Sequence, residues 1–149
     1  MYGIYGGGGE CHMISEKSIN NWVIGIYSRR SYASITGNYI METTDYGIRV
    51  YIAGDYSVIS GNMVRYLNAN NSETRYGIFV NGEYSIISEN AVYSCINVGT
   101  GTSYAIGIGA GGNNCMVYSN VTFNNDNSFY AVALVAETII GNALNNQFP

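Results

Sequence analysis

Two acidic residues occupy matching places in this chain, Asp55 in "AGDYS" and Glu83 in "NGEYS". Each stands seven residues before an asparagine, Asn62 and Asn90. On adjacent strands their backbones would lie about 5 Å apart. Two carboxyl groups about 5–5.5 Å apart have the spacing of a retaining glycosidase, with one as nucleophile and the other as acid and base. Tyr32, Tyr56 and Tyr84 form a column beside them, and aromatics next to carboxylates suit a carbohydrate cleft. Asp55 and Glu83 are thus the catalytic candidates, and Tyr32, Tyr56 and Tyr84 the carbohydrate-binding candidates. The competing reading is a plain solvated turn. Both pentapeptides are ordinary turn sequences, and a wetted turn tolerates two acids.

Other chemistries find less support. Activated nucleophiles usually need a neighbouring His or Lys, and the chain has only His12 and Lys17. No cofactor is expected, and no zinc, because His and Cys form no ligand spacing. "GGGG" (6–9) and "GIGAGG" (107–112) resemble phosphate loops, but no helix pattern or GK[ST] follows them, so they read as turns. A calcium-dependent lyase needs carboxylates and a basic residue to converge, and Asp45, Asp55, Glu83 and Arg49 show no such grouping. Lys and Arg total six without a basic stripe, which excludes a nucleic-acid interface. Cys11 and Cys115 would be separated by four stacked turns of chain, about 19 Å, beyond disulfide reach. All three cysteines read as small buried fillers, with an intermolecular disulfide as the alternative.

What positions these residues is a repeat. The pattern apolar-x-x-Asn-x-apolar occurs as "ITGNYI", "ISGNMV", "ISENAV", "VYSNVT" and "IIGNAL". It sets Asn38, Asn62, Asn90, Asn120 and Asn142 in one column, and "ISEKSI" adds Lys17 at its head. A second motif alternates with it: "YGIYG", "WVIGI", "YGIRV", "YGIFV", "YAIGI" and "YAVAL". It aligns Tyr2, Trp22, Tyr46, Tyr76, Tyr104 and Tyr130, and behind them Ile4, Ile24, Ile48, Ile78, Ile106 and Val132. The Asn motif likewise predicts a buried column of Ile14, Ile35, Ile59, Ile87, Val117 and Ile139. Short alternating runs rich in Ile, Val and Tyr are strand chemistry, and the Gly, Asn and Ser between them are turn chemistry. A period of roughly 20–30 residues signals a solenoid. With no helical period to bridge the strands, the coil is all-β.

The alternation of Ile-x-Gly-Asn-x-Ile with Gly-Ile-x-Val over about residues 2–144 resembles the right-handed parallel β-helix repeat of pectin-lyase-like proteins. The resemblance implies one β-solenoid domain over residues 1–149, of about six coils, with the Asn column as an internal ladder. It leaves function open, because the family includes polysaccharide lyases, hydrolases, epimerases, tailspikes and surface proteins without known activity.

Charged residues make up 11% of the chain, against about 25% in ordinary domains. A surface of Tyr, Asn, Ser and Gly suits packing against copies of itself, or contact with sugars. There is neither a signal-peptide pattern nor a membrane-spanning run, so no membrane insertion is expected. Fold and surface favour an extracellular, cell-surface or virion setting. Asn70-Asn71-Ser72 is a glycosylation sequon. The chain opens on one motif and closes on the other without room for caps, so the expected role is a structural subunit that stacks end to end into a fibre, sheath or spike. Tyr2, Ile4, Ile139, Ile140 and Leu144 would form its self-assembly edges. The alternative role is carbohydrate binding or polysaccharide cleavage by a glycosidase or lyase.

Overall fold

The structure, a computed structural model, describes residues 1–7, 11–51, 55–69, 72–131 and 139–144, with side chains up to Asn127 apart from Tyr66, Asn68 and Ala69. Strands follow one another in a fixed rhythm. β1 (Tyr2–Gly6) precedes the short pair β2 (Met13–Ser15) and β3 (Ser18–Asn20). Next come β4 (Ile24–Ser28), β5 (Ser34–Thr36) and β6 (Tyr39–Met41), then β7 (Tyr46–Val50), β8 (Val58–Ser60) and β9 (Met63–Ala69). The fourth set is β10 (Arg75–Val80), β11 (Ile86–Ser88) and β12 (Ala91–Asn97). β13 (Ser103–Ile108) is followed by β14 (Met116–Phe123), which fuses both short positions, and β15 (Asn127–Ala131) and β16 (Ile139–Leu144) complete the order.

The first strand of each set enters one sheet, ordered β1-β4-β7-β10-β13-β15, and the others build a second, ten-stranded sheet. Neighbours pair in parallel, each strand with its counterpart one repeat away, as in Ile35 with Ile59, Ile59 with Ile87 and Ile87 with Val117. All-β, parallel and laddered is what the repeat predicts. Ile, Val and Leu between the two sheets form a single core in which Ile26, Ile35, Ile40, Ile48, Ile59, Ile78 and Ile87 are wholly buried. Burying each such side chain is worth about 1.5–3 kcal/mol.

The predicted register of the first sheet needs correction at two repeats, and that of the second sheet at one. Trp22 is not in the aromatic column: Ile24 pairs with both Tyr2 and Tyr46. Ile26, not Ile24, stacks on Ile4 and Ile48. Near the other end Asn127, not Tyr130, pairs with Tyr104, and Phe129 takes the place expected for Val132, which lies outside the described residues. The cause is a column of small residues, Gly3, Gly25, Gly47 and Gly77, next to the buried isoleucines. A Cβ on Gly25 would stand 2.6 Å from both the Gly47 carbonyl oxygen and Ile40 Cγ2, and one on Gly77 2.7 Å from the Ala105 carbonyl. The small residue sets the register, and the aromatic before it is incidental. In the second sheet, Val117 pairs with Ile140 rather than Ile139, because a register shift between Tyr118 and Val121 absorbs one residue.

Candidate functional site

Two corners of the repeat carry the candidate residues, and both begin from the same backbone problem. A tight parallel turn needs one residue with left-handed φ, and its N–H must find an acceptor one repeat away. At the corner inside the second sheet that residue is Glu16, Gly37, Gly61, Glu89 or Ser119. Its N–H donates to the next repeat, as from Gly37 to Ser60 and from Gly61 to Ser88, both at 3.2 Å. At the corner that enters the second sheet the left-handed residue is Cys11, Tyr32, Tyr56, Tyr84 or Asn114. Tyr32 N–H donates to the Asp55 carbonyl and Tyr56 N–H to that of Glu83, both at 2.8 Å.

Beside the first corner stand Asn38, Asn62, Asn90 and Asn120, each at most 1% exposed. The ladder runs one way. Asn62 Oδ1 accepts both the backbone N–H (3.0 Å) and the Nδ2 (2.9 Å) of Asn38. Asn90 does the same for Asn62, and Asn120 for Asn90. Each Nδ2 also reaches back to a main-chain carbonyl, as from Asn90 to Ile59 at 2.9 Å. Asn142 is in sequence with this column, between Gly141 and Ala143 of β16, but its side chain lies outside the described ones. At the other end Lys17 N–H donates to Asn38 Oδ1 at 3.0 Å. Lysine offers no side-chain oxygen to a preceding repeat, so the amide ladder terminates at Lys17.

The second corner is exposed. Tyr32, Tyr56 and Tyr84 are 56%, 49% and 47% accessible, yet their rings stack almost parallel, with centroids 5.3 and 5.1 Å apart. The faces of the middle ring are therefore covered by its neighbours, and the column offers edges and hydroxyls outward. Asp55 and Glu83 sit in register, but their carboxylates are engaged between repeats. Asp55 Oδ1 accepts the Glu83 N–H at 2.9 Å, and Glu83 Oε1 accepts from Asn113 Nδ2 at 3.4 Å. Asp45 faces Arg75 at 3.2 Å, elsewhere on the chain. Arg49 lies over the rings of Tyr46, Tyr51 and Tyr27 at 4.7, 5.1 and 5.5 Å. Burial raises the Tyr27 phenol, against the pull of Arg49 and Arg29.

All three thiols are free. Cys95 and Cys115 are buried fillers, as read from the sequence. Cys11 is exposed, a correction, because it takes the same outward corner position as Tyr32. Burial pushes the Cys95 thiol up to about 12 and raises that of Cys115. The sequon at Asn70 lies outside the described residues. Two features lie outside both repeat motifs. Asn125 is a further buried amide that accepts from Cys95 N–H at 2.8 Å and donates to the Val92 carbonyl. Its only trace in the sequence is the "NN" at 124–125. The other is an open hollow of about 450 Å³ on the outside of the second sheet, lined by Met63, Arg65, Tyr93, Ser94 and Phe123. These residues do not repeat in type, so no motif marks them. The chain matches no family model, no curated protein and no solved structure.

Proposed function

We propose that this chain is a right-handed parallel β-helix whose role is structural: a subunit that stacks end to end on further copies into an extracellular fibre, sheath or spike. The observation that carries this reading is the edge strand β1. It pairs with β4 on one side, and no described strand pairs its other edge. Tyr2 and Tyr5 on this strand are 43% and 51% exposed and stack on each other at 5.4 Å. Edge strands that stay single usually carry Lys, Pro or a bulge, and Tyr2–Gly6 has no Lys or Pro. Because the amide ladder stops at Lys17, the contact between copies runs through this sheet edge and its tyrosines. Ile139, Ile140 and Leu144 on β16 would supply the opposite edge.

The test is negative-stain microscopy with sedimentation over a range of concentrations. Wild-type protein should form end-to-end assemblies. Ile4→Pro, which removes a main-chain donor and stiffens the edge, should abolish them and leave the circular dichroism of the inner repeats intact. Wild-type protein that stays monomeric at high concentration sinks the reading. The second reading, saccharide binding or cleavage at Tyr32, Tyr56 and Tyr84, has in its favour the outward hydroxyl edges of that column. Incubation with a panel of acidic and neutral polysaccharides would then decide it.

A further inference from the structure

The outer face of the first sheet brings two arginines together without an acid. One of its columns runs Tyr5, Tyr27, Arg49 and Phe79, paired strand to strand. Two residues further along the chain from Tyr27 and Arg49 stand Arg29 and Tyr51. Their N–H groups donate one repeat back, to the Gly6 and Ser28 carbonyls, at 3.2 and 2.9 Å. Tyr27 and Arg29 on one repeat thus neighbour Arg49 and Tyr51 on the next, with phenol and guanidinium alternating. Arg49 lies over Tyr46, Tyr51 and Tyr27, and Arg29 lies over Tyr51 at 5.5 Å. The two guanidiniums therefore share the Tyr51 ring. Burial raises the Tyr27 phenol, and both arginines pull against that rise. Like charges set this close repel, yet no described carboxylate pairs with Arg29 or Arg49. Arg49 Nε is buried without a hydrogen-bond partner. The chain has a net charge of −4, so no general basic surface accounts for the pair.

We propose that Arg29 and Arg49, held on the rings of Tyr27, Tyr46 and Tyr51, form a binding site for a tetrahedral oxyanion, a sulfate or phosphate group. A guanidinium stacked on a ring is held through its plane by the cation–π attraction. Its N–H donors lie in that plane, in a rigid fork, so stacking fixes the fork and leaves the donors for a ligand. Charge and shape then select the ligand. Only an anion relieves the repulsion between two unpaired cations. A planar carboxylate is satisfied by one fork. Two forks set around one phenol call for oxygens that point in several directions, which sulfate and phosphate have and a carboxylate lacks. The tyrosines also carry hydroxyl donors, which add to the contacts with such oxygens. The site lies on the outside of the first sheet and is separate from the corner column of Tyr32, Tyr56 and Tyr84. It makes no use of the free edge of β1, so it stands apart from end-to-end stacking.

The experiment is equilibrium dialysis of the wild-type chain against inorganic sulfate and inorganic phosphate, which reads binding to single chains and to assemblies alike. One anion per chain is expected, with an affinity that falls as sodium chloride is raised. Arg49→Gln and Arg29→Gln should each weaken it about tenfold or more, the loss of a charge-assisted hydrogen bond. Arg49→Lys keeps the charge without the fork and should recover only part of the affinity. Lys17→Gln removes an exposed charge elsewhere and should change nothing. Circular dichroism confirms that each variant is folded. Arg29 is exposed, so Arg29→Gln carries the test even where Arg49→Gln fails to fold. Co-sedimentation with dextran sulfate, polyphosphate and polygalacturonate then separates the sources: Arg29-dependent retention of dextran sulfate assigns a sulfate ester, and of polyphosphate a phosphate. A wild-type chain that takes up neither inorganic anion overturns the proposal, as does uptake indifferent to both glutamine variants. Retention of polygalacturonate in preference to the other two polymers overturns it as well, since it would assign each arginine to a carboxylate of its own.

Discussion

The two laddered corners satisfy the same backbone and differ in almost everything else. Asn90 sits 1% exposed beside its corner, and Tyr56 sits 49% exposed at its own. The left-handed residue of each corner donates its N–H one repeat onward, from Glu89 to Tyr118 and from Tyr56 to Glu83. Around the buried corner no water replaces a lost partner, so amides complete the network. Around the exposed corner water can serve every polar group, and the side chains are left to stack. The same repeat thus makes one column obligatory and the other adjustable, and adjustable columns are where function can be installed.

The largest effect expected from this contrast is at Asn90. Asn90→Leu strands the buried Asn62 N–H and removes one acceptor from Asn62 Nδ2 and the amide donor to the Ile59 carbonyl. The stranded N–H costs about 1–3 kcal/mol and each of the two other lost bonds about 1 kcal/mol, so a loss of roughly 3–5 kcal/mol, or failure to fold, should appear in urea titration. A change under about 1 kcal/mol would mean that backbone bonds alone hold the corner and would erase the distinction between the two columns.

Alkali separates buried from exposed in another way. Burial holds the Cys95 thiol protonated up to about 12, from an ordinary value of 9.0. Below about pH 9 both folded and unfolded thiols are neutral, and nothing is lost. Between about pH 9 and 12 the unfolded thiol ionises first, so stability falls as pH rises, by about 1.4 kcal/mol per unit of pKa difference. Cys95→Ala should flatten that decline in a pH series of thermal melts. An unchanged decline would assign alkaline unfolding to the tyrosines instead.

Much of this was legible in the sequence, for a physical reason. Asn38, Asn62, Asn90 and Asn120 repeat because each must accept from the one before it, and such a constraint leaves a column in the text. Asp55 and Glu83 were placed in register by counting from that column. What could not be read depends on contacts between the two sheets. Gly25 is fixed by Ile40 across the core, and no local pattern shows this, so Trp22 drew the alignment two residues off. Met63, Arg65, Tyr93 and Phe123 share a face without sharing a residue type. Only the pairing of strands brings them together.

At the exposed corner, Tyr56→Ala removes two stacked pairs, each worth about 0.5–1.5 kcal/mol, and keeps the left-handed backbone. A loss of about 1–3 kcal/mol is expected by calorimetry. Tyr56→Gly should lose less, by up to about 1 kcal/mol, because glycine adopts φ 56° without strain. The matching test at the buried corner is Glu89→Gly, since Gly37 and Gly61 already hold that column. It should stabilise by up to about 1 kcal/mol, and a loss would show that Glu89 makes contacts that the corner needs.

The smallest effect is expected at Asp55, and it separates structure from chemistry. Its Oδ1 accepts the Glu83 N–H at 2.9 Å. Asparagine presents an oxygen of the same shape, so Asp55→Asn should change stability by less than about 0.5 kcal/mol, while Asp55→Ala, which leaves that N–H to water, should cost about 1 kcal/mol. A hydrolase that used Asp55 as nucleophile or acid would behave in the opposite sense: Asp55→Asn would spare the fold and abolish turnover of a polysaccharide substrate. Stability measured on both variants, beside a reducing-end assay on wild type and Asp55→Asn, reads the two roles separately. Equal losses of stability in Asn and Ala would show that the charge, rather than the acceptor, holds this corner. The acid column would then stand closer to the buried ladder than its exposure suggests.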